Sequence, residues 1–173
     1  MSLTTLKKTL AEKSQTELIK EIAELYTKFP NVKEYYSSKL GNPLEVLNKY
    51  QDIIKKEFVY GNKKGFPKAR LSVAKKAIQD FKKLSNDPKL IADINFTFVE
   101  SVSSFNREFD PHVESFYQSP ENVFADTLAF LKKHHLLPDF QQRAYLIVKD
   151  APDGLDFFCN LHEQYENYYG KFE

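Results

Sequence analysis

The sequence has only one cysteine, few glycines and no long apolar run, and each shortage excludes a class of protein. Cys159 stands alone, so no intramolecular disulfide can form and folding must depend on the core. No stretch approaches the ~18 apolar residues of a membrane-spanning helix, and residues 1–15 hold no apolar segment of signal-peptide length. The sequence therefore predicts a soluble, cytoplasmic protein with no membrane contact.

Motifs that mark catalytic and metal sites are missing as well. The chain has no HExxH, CxxC or GxSxG motif, no glycine-rich phosphate loop and no dinucleotide-binding fingerprint. The only histidines are His112, His134, His135 and His162. His134 and His135 are adjacent, so on a helix they point about 100° apart and cannot easily share one ion. We therefore predict no catalytic residue, no metal site and no cofactor, which leaves enzyme activity without support.

Cys159 and His162 stand about one helical turn apart near the C-terminus. A nucleophilic thiolate needs a neighbouring base and a lowered pKa, and His162 is close enough in sequence to be that base. The surrounding segment, LDFFCNLHEQY, nevertheless has the apolar character of a core face. We therefore predict a buried, inert thiol, and a nucleophilic or metal site that uses these two residues is the less favoured alternative.

Helical apolar spacing, in contrast, runs through the whole chain. Apolar side chains recur every three or four residues, as in Leu18, Ile22, Leu25 and Phe29, and no segment alternates with period two. With 42% hydrophobic and 28% charged residues, the 173-residue sequence is typical of one globular domain. We predict a single all-α domain over residues 1–173, an irregular array of about seven to nine helices in antiparallel pairs, with an α–α superhelix as a variant.

Prolines mark most of the predicted helix starts, because the missing N–H of a proline costs nothing at the first helical position. The predicted starts are Asn42-Pro43, Asp87-Pro88 and Ser119-Pro120, each with a capping side chain, and Phe66-Pro67 and Leu137-Pro138, with weaker caps. SQTE at residues 14–17 has the spacing of a capping box, and a short helix near residues 3–10 is also predicted. The helix that follows Pro88 has the broadest apolar arc and should be central.

Two groups of aromatic residues are candidates for an interface. DPHVESFYQ, residues 110–118, is predicted to be the longest loop and to leave Phe116 and Tyr117 exposed. The C-terminal segment YENYYGKFE contributes Tyr168 and Tyr169, which either cover the core or meet a partner. Core covering is the favoured interpretation for the tyrosines of this segment.

Positive charge is concentrated in one segment although the net charge is only +1. Within residues 60–84, Lys68, Lys75 and Lys82 fall on one side of a predicted helix, opposite Leu71, Ala74, Ile78 and Phe81. The candidate contacts to nucleic acid or another anion are Lys63, Lys64, Lys68, Arg70, Lys75 and Lys82. A single arginine offers little base recognition, so a solvated helix face is the favoured interpretation.

Three segments carry a resemblance to a known family. ELIKEIAELYTKFPNVKEYY, KARLSVAKKAIQDFKKL and DPKLIADI, followed by a last helix that ends in tyrosines, resemble a bacterial family of small helical proteins known as a domain of unknown function. The resemblance implies a bacterial, cytoplasmic and all-helical protein and brings no activity or site residue with it.

Helix pairs, many aromatic residues and the lack of catalytic motifs together predict a non-catalytic interaction module. Such a module would bind a protein partner or a second copy of the chain. The alternative is electrostatic binding of nucleic acid by the basic segment 60–84. These two functions differ in salt dependence, because phosphate contacts weaken steeply as salt is added.

Overall fold

A computed structural model describes residues 1–60 and 65–172, and this part of the chain is all α-helical. It contains nine α-helices, one short 3-10 helix at Gly154–Asp156 and no strand. The helices are α1 (Leu3–Ala11), α2 (Gln15–Lys28), α3 (Pro30–Leu40), α4 (Pro43–Phe58), α5 (Leu71–Leu84), α6 (Pro88–Phe109), α7 (Ser115–Lys133), α8 (Leu137–Lys149) and α9 (Phe157–Tyr169). The all-α prediction is confirmed.

The chain divides into two compact units, Met1–Pro43 and Leu44–Glu173. The first unit holds α1, α2 and α3, and the second holds the remaining helices. This division does not test the predicted single domain, which stays a prediction.

The first unit is built from helices with well-formed N-termini. The Ser14 side chain accepts from the Glu17 backbone N–H, while the Glu17 carboxylate accepts from the Ser14 backbone N–H, which confirms the predicted capping box. Pro30 occupies the first position of α3, and α3 packs against α2. All of residues 1–43 are described, and none of them is buried.

Helix α6 lies at the centre of the second unit and contacts α5, α7 and α8. Phe96, Phe98 and Val99 are all fully buried on it, which confirms the predicted central helix. Aromatic rings on neighbouring helices meet these side chains: Phe58 of α4 lies edge-on to Phe98 at 6.3 Å, and Phe124 of α7 lies 5.9 Å from Phe96. Rings packed in this way stabilise a core beyond the area they bury.

An arginine-centred network joins α4, α6 and α8. Arg143 on α8 donates twice to the Glu100 carboxylate, at 2.7 and 2.9 Å, and once to the Asp93 carboxylate, at 2.6 Å. Gln51 on α4 donates to the same Asp93 carboxylate at 2.9 Å. Burial would lower the pKa of Arg143, but the two carboxylates raise it well above its ordinary value. Every charge in the network therefore has a partner, as partly buried ions require.

Helix α5 confirms the predicted core face but not the predicted start. Ala74, Ile78 and Phe81 are buried, while Leu71 is only partly buried and packs against the core. Helix α5 packs against α6, as expected for helices joined by only three residues. The helix begins at Leu71 rather than Pro67. The reason lies in Glu57 of α4, because its carboxylate accepts from Arg70 Nε at 2.9 Å and its backbone oxygen accepts from the Ala69 N–H at 2.7 Å. Bonds from both residues to α4 hold the chain outside the helix.

Helix α7 begins earlier than predicted, so the predicted loop is shorter. It starts at Ser115, and Pro120 lies inside it instead of at its first position. Phe116 and Tyr117 are therefore helical, and their predicted exposure in a loop is wrong: Tyr117 is 2% exposed and Phe116 packs against the core. Tyr117 also donates to Asp110 Oδ1 at 3.0 Å, and burial together with Asp110 raises the pKa of Tyr117 to about 12.

Candidate interaction surface

The first unit presents a row of exposed apolar side chains. They are Ile19, Ile22, Leu25, Tyr26 and Phe29 of the α2 region and Tyr35 of α3, and each is at least 38% exposed. We call this set the α2–α3 apolar surface. Single exposed hydrophobic residues are normal on a protein, but a contiguous patch marks a contact site.

The spacing along α2 is that of a helix–helix seam. Leu18, Ile22, Leu25 and Phe29 follow one another at intervals of four, three and four residues, which is the heptad pattern of a coiled-coil face. Glu21 and Lys28 occupy one flank of this seam, seven residues apart and opposite in charge. Within the chain Glu21 pairs with Lys13, and Lys28 pairs with Glu24 at 3.2 Å. The sequence predicts the apolar face of α2 but not its exposure, for which the heptad spacing is the one sequence signal.

Helix α3 extends the surface with aromatic rings. Tyr36 lies 6.5 Å from Tyr26 of α2 and 5.4 Å edge-on from Tyr35, measured between ring centroids. The Lys33 ammonium lies 5.9 Å from the Tyr26 ring centre, close enough for a cation–π contact. The two helices therefore contact each other through tyrosine rings that remain partly exposed.

The basic segment 60–84 does not form one continuous stripe of free charges. Lys63 and Lys64 lie outside the described residues, and Lys68 is exposed. Arg70 is paired with Glu57, and its hydrogen bonds lower the pKa of Glu57 while the carboxylate raises the pKa of Arg70. Arg70 is thus held in the fold as a structural ion pair.

Lys75 and Lys82 lean over a groove instead of pointing freely into solvent. Lys75 Nζ donates to Ser119 Oγ of α7 at 2.8 Å. Lys82 is exposed over much of its side chain, yet burial around its ammonium lowers its pKa, and Asp126 of α7 opposes this only in part. The outer lysines of α5, Lys76 and Lys83, both bond to Asp80 of the same helix, at 3.4 and 2.7 Å.

The tyrosines of the C-terminal helix lie against the core. Tyr168 and Tyr169 are half-buried and pack on it, and the Lys132 ammonium lies 5.6 Å from the centre of the Tyr168 ring. The pKa of Tyr169 is raised to about 12, mainly by burial and to a smaller extent by the neighbouring Tyr165. Core covering, the favoured interpretation of these residues, agrees with this placement, and an interface role for them stays a prediction.

Cys159 is exposed, so the predicted burial of its thiol is wrong. The buried residues of α9 are Phe157, Leu161 and Tyr165, and Cys159 lies two positions from Phe157, about 200° around the helix from it. His162 is engaged elsewhere: it lies 3.8 Å from the Glu166 carboxylate and packs against Phe158. Among residues 1–60 and 65–172, no cluster of three or more histidine, cysteine or acidic side chains could hold a metal ion.

Comparison with known proteins gives a family but no activity. A family described as "Family of unknown function (DUF6155)" matches residues 1–173. The chain belongs to this family. No curated protein and no solved structure matches it. The resemblance to a domain of unknown function is therefore confirmed for this DUF6155 member, and its function has to be argued from its own surfaces.

No helix in the described parts of this DUF6155 member is both long and apolar enough to span a bilayer.

Proposed function

We propose that this DUF6155 member is a non-catalytic interaction module that self-associates through the α2–α3 apolar surface. One observation carries the proposal: the six apolar side chains of the α2–α3 apolar surface are each at least 38% exposed, and no residue of 1–43 is buried. Ordering a residue costs about 1–2 kcal/mol of conformational entropy, and burial of apolar area is what offsets that cost. A partner that covers this surface would supply the missing burial.

The charge pattern of α2 favours a second copy of the chain as that partner. When two copies of α2 pack antiparallel along the seam, the same flank of each helix meets, so Glu21 of one copy faces Lys28 of the other. Both residues would share or exchange their partners within the chain, Lys13 and Glu24, and such exposed pairs cost little to rearrange. The twofold symmetry of a dimer makes this contact twice. A parallel pair would place Glu21 opposite the Tyr26 flank and would form no such ion pair. The antiparallel dimer is therefore the arrangement we propose.

This proposal includes the cytoplasmic and bacterial setting that the family resemblance implied. Nucleic-acid binding by the basic segment stays a prediction. Arg70, Lys75, Lys76 and Lys83 all have partners within the chain, so this alternative receives less support from the structure.

Sedimentation equilibrium of the full chain tests the proposal. We expect a monomer–dimer equilibrium for the natural sequence and a monomer for Ile22→Lys, because the new ammonium would have to be buried in the seam. Val113→Lys is the matched control, since Val113 is an exposed aliphatic residue of the second unit at 51%. A natural sequence that is monomeric at every concentration overturns the proposal, as does an Ile22→Lys protein that dimerises like the control.

Charge reversal tests the orientation of the pair. Glu21→Lys and Lys28→Glu should each weaken the dimer, because each creates two like-charge contacts. The double variant, which carries both substitutions, should restore the affinity of the dimer. A double variant that stays as weak as the single variants would exclude the antiparallel arrangement. A complex with another protein at this surface would show the same sensitivity to Ile22→Lys without this rescue.

A further inference from the structure

The second unit contains a groove that the proposed self-association does not use. Its volume is about 210 Å³. Lys75, Ile78 and Lys82 of α5 line one side, Asn95 of α6 lies between, and Val123 and Asp126 of α7 line the other side. We call it the Asn95 groove. Helices α5, α6 and α7, which belong to one unit, position these side chains.

Asn95 is the residue that points to a ligand. It is only 5% exposed, and its Oδ1 has no hydrogen-bond partner among the described residues. A buried amide oxygen without a partner is unfavourable, and native proteins carry few of them. Asn95 is part of the groove lining, but the oxygen itself is covered. A hydrogen-bond donor bound in the groove would therefore satisfy it once the long side chains around the groove move aside.

The charges around Asn95 select an anion. Lys75 and Lys82 contribute two positive charges, and Asp126 contributes one negative charge, so the lining is cationic. An ammonium has three N–H donors, and Ser119 accepts from the Lys75 ammonium at 2.8 Å, so further donors remain for an oxyanion. The lowered pKa of Lys82 agrees with this, because it shows that Asp126 does not fully compensate the burial of this ammonium.

The size of the groove limits the ligand to a small group. At about 210 Å³ it lies below the ~300–1,000 Å³ of pockets that enclose drug-sized molecules. Ile78 and Val123 contribute apolar surface to the lining, and Gln79 adds a further polar side chain. A single compact oxyanion matches these dimensions.

We propose that the Asn95 groove binds a small oxyanion that also carries a hydroxyl group, with hydrogen phosphate as the simplest case. The two ammonium groups contact the anionic oxygens, and the P–O–H group donates to Asn95 Oδ1. Sulfate has the same shape but no proton at neutral pH, so it cannot make the bond to Asn95. Selectivity for phosphate over sulfate is therefore the property that distinguishes this site from a general attraction of lysines for anions.

The test is a titration of the full chain with inorganic phosphate and, in a separate experiment, with sulfate. Both titrations are made at pH 7 and constant ionic strength, and binding is monitored by the NMR signals of the Asn95 side-chain amide. We expect saturable phosphate binding with a Kd below about 10 mM and at least about tenfold weaker binding of sulfate. Lys75→Gln and Lys82→Gln should each weaken phosphate binding about tenfold, because each removes a charge-assisted hydrogen bond.

Matched controls separate the groove from the rest of α5. Lys76→Gln and Lys83→Gln make the same charge change one residue away, on side chains that bond to Asp80, and should leave phosphate affinity unchanged. Asn95→Leu should abolish the preference for phosphate over sulfate, and the lysine variants keep the proposal testable if this variant does not fold.

Absence of saturable phosphate binding overturns the proposal. Equal affinity for phosphate and sulfate, or an equal loss of phosphate affinity in the control variants, would overturn it too. Ile22→Lys should bind phosphate normally, so this inference and the proposed dimer fail independently.

Discussion

Asn106 of α6 supplies the hydrogen bond that Pro120 cannot make. Asn106 Nδ2 donates at 2.8 Å to the backbone oxygen of Phe116, four residues before the proline. In a regular helix this oxygen would accept from the N–H of residue 120, which proline lacks. A side chain from the central helix thus allows α7 to continue through a residue that ordinarily starts or ends a helix.

Replacement of Asn106 should therefore destabilise the protein in a way that depends on Pro120. Asn106→Ala leaves the Phe116 oxygen unpaired and should lower the free energy of unfolding by about 1–3 kcal/mol in urea melts. In a Pro120→Ala background the backbone N–H returns, so the same change should cost measurably less. Equal costs in the two backgrounds would show that the two residues are not coupled in this way.

The two faces of α5 should respond very differently to truncation. Phe81 is 1% exposed and meets the Tyr50 ring at 5.8 Å, so Phe81→Ala should cost about 3–5 kcal/mol. Lys76→Ala, on the exposed face, should change the free energy of unfolding by no more than about 0.5 kcal/mol. Urea melts of the two variants compare these costs directly. Similar destabilisation by both substitutions would mean that the assignment of the buried face is wrong.

Gly154 allows a close approach between the Gly154–Asp156 turn and α7. A Cβ atom at this position would lie 2.7 Å from Tyr117 Oη and 2.9 Å from a carbon of the same ring. The ring cannot move easily, because it also packs edge-on against Phe157 at 5.8 Å. Gly154→Ala should therefore cost about 1–3 kcal/mol, measured by thermal or urea unfolding. In a Tyr117→Ala background this cost should disappear, and its persistence would contradict the steric explanation.

The Glu57–Arg70 pair should make stability depend on acid. Hydrogen bonds from Arg70 lower the pKa of Glu57 in the folded state below its ordinary value of 4.5. Near that pH the unfolded chain therefore binds more protons, so this stabilisation is complete above the unfolded pKa and is lost as the pH falls through the folded pKa. Glu57→Gln should cost about 1–3 kcal/mol at neutral pH.

The acid dependence of three proteins checks this assignment: the natural sequence, Glu57→Gln and Arg70→Gln. The free energy of unfolding of Glu57→Gln should fall less steeply than that of the natural sequence between about pH 5 and pH 3. Arg70→Gln should flatten the same region, because it removes the partner instead of the titrating group. Identical slopes for all three proteins would show that another carboxylate is responsible.

Local sequence patterns were sufficient to predict a helix start wherever that start depends only on residues close to it in the sequence. The capping box at Ser14 and the start at Pro88 were predicted because cap and helix lie within four residues of each other. The starts of α5 and α7 could not be predicted, because each depends on a distant side chain. Glu57 holds the chain before Leu71, and Asn106 makes Pro120 acceptable inside a helix.

Surfaces were less predictable than helices, for a similar reason. The apolar spacing around Cys159 did not indicate which side of α9 faces the core, since flanking aromatic rings cover part of that helix as well. The lysine stripe of α5 was visible in the sequence, but its contact with Ser119 and Asp126 depends on how α7 crosses that face. Asn95 carried no signal of its own, because it lies within a broadly apolar stretch.

The contrast in burial between α6 and the first unit has a consequence for hydrogen exchange. Amides in α6 are covered by helices on several sides, so they should exchange only when the second unit opens as a whole. No side chain of α1, α2 or α3 is buried, so the amides of these helices should exchange through small local openings. Such openings occur much more often than opening of the whole second unit. Among the described residues, these helices should also be the first that a protease cuts. Protection that rises in α2 with protein concentration, while α6 stays unchanged, would report the formation of the dimer directly.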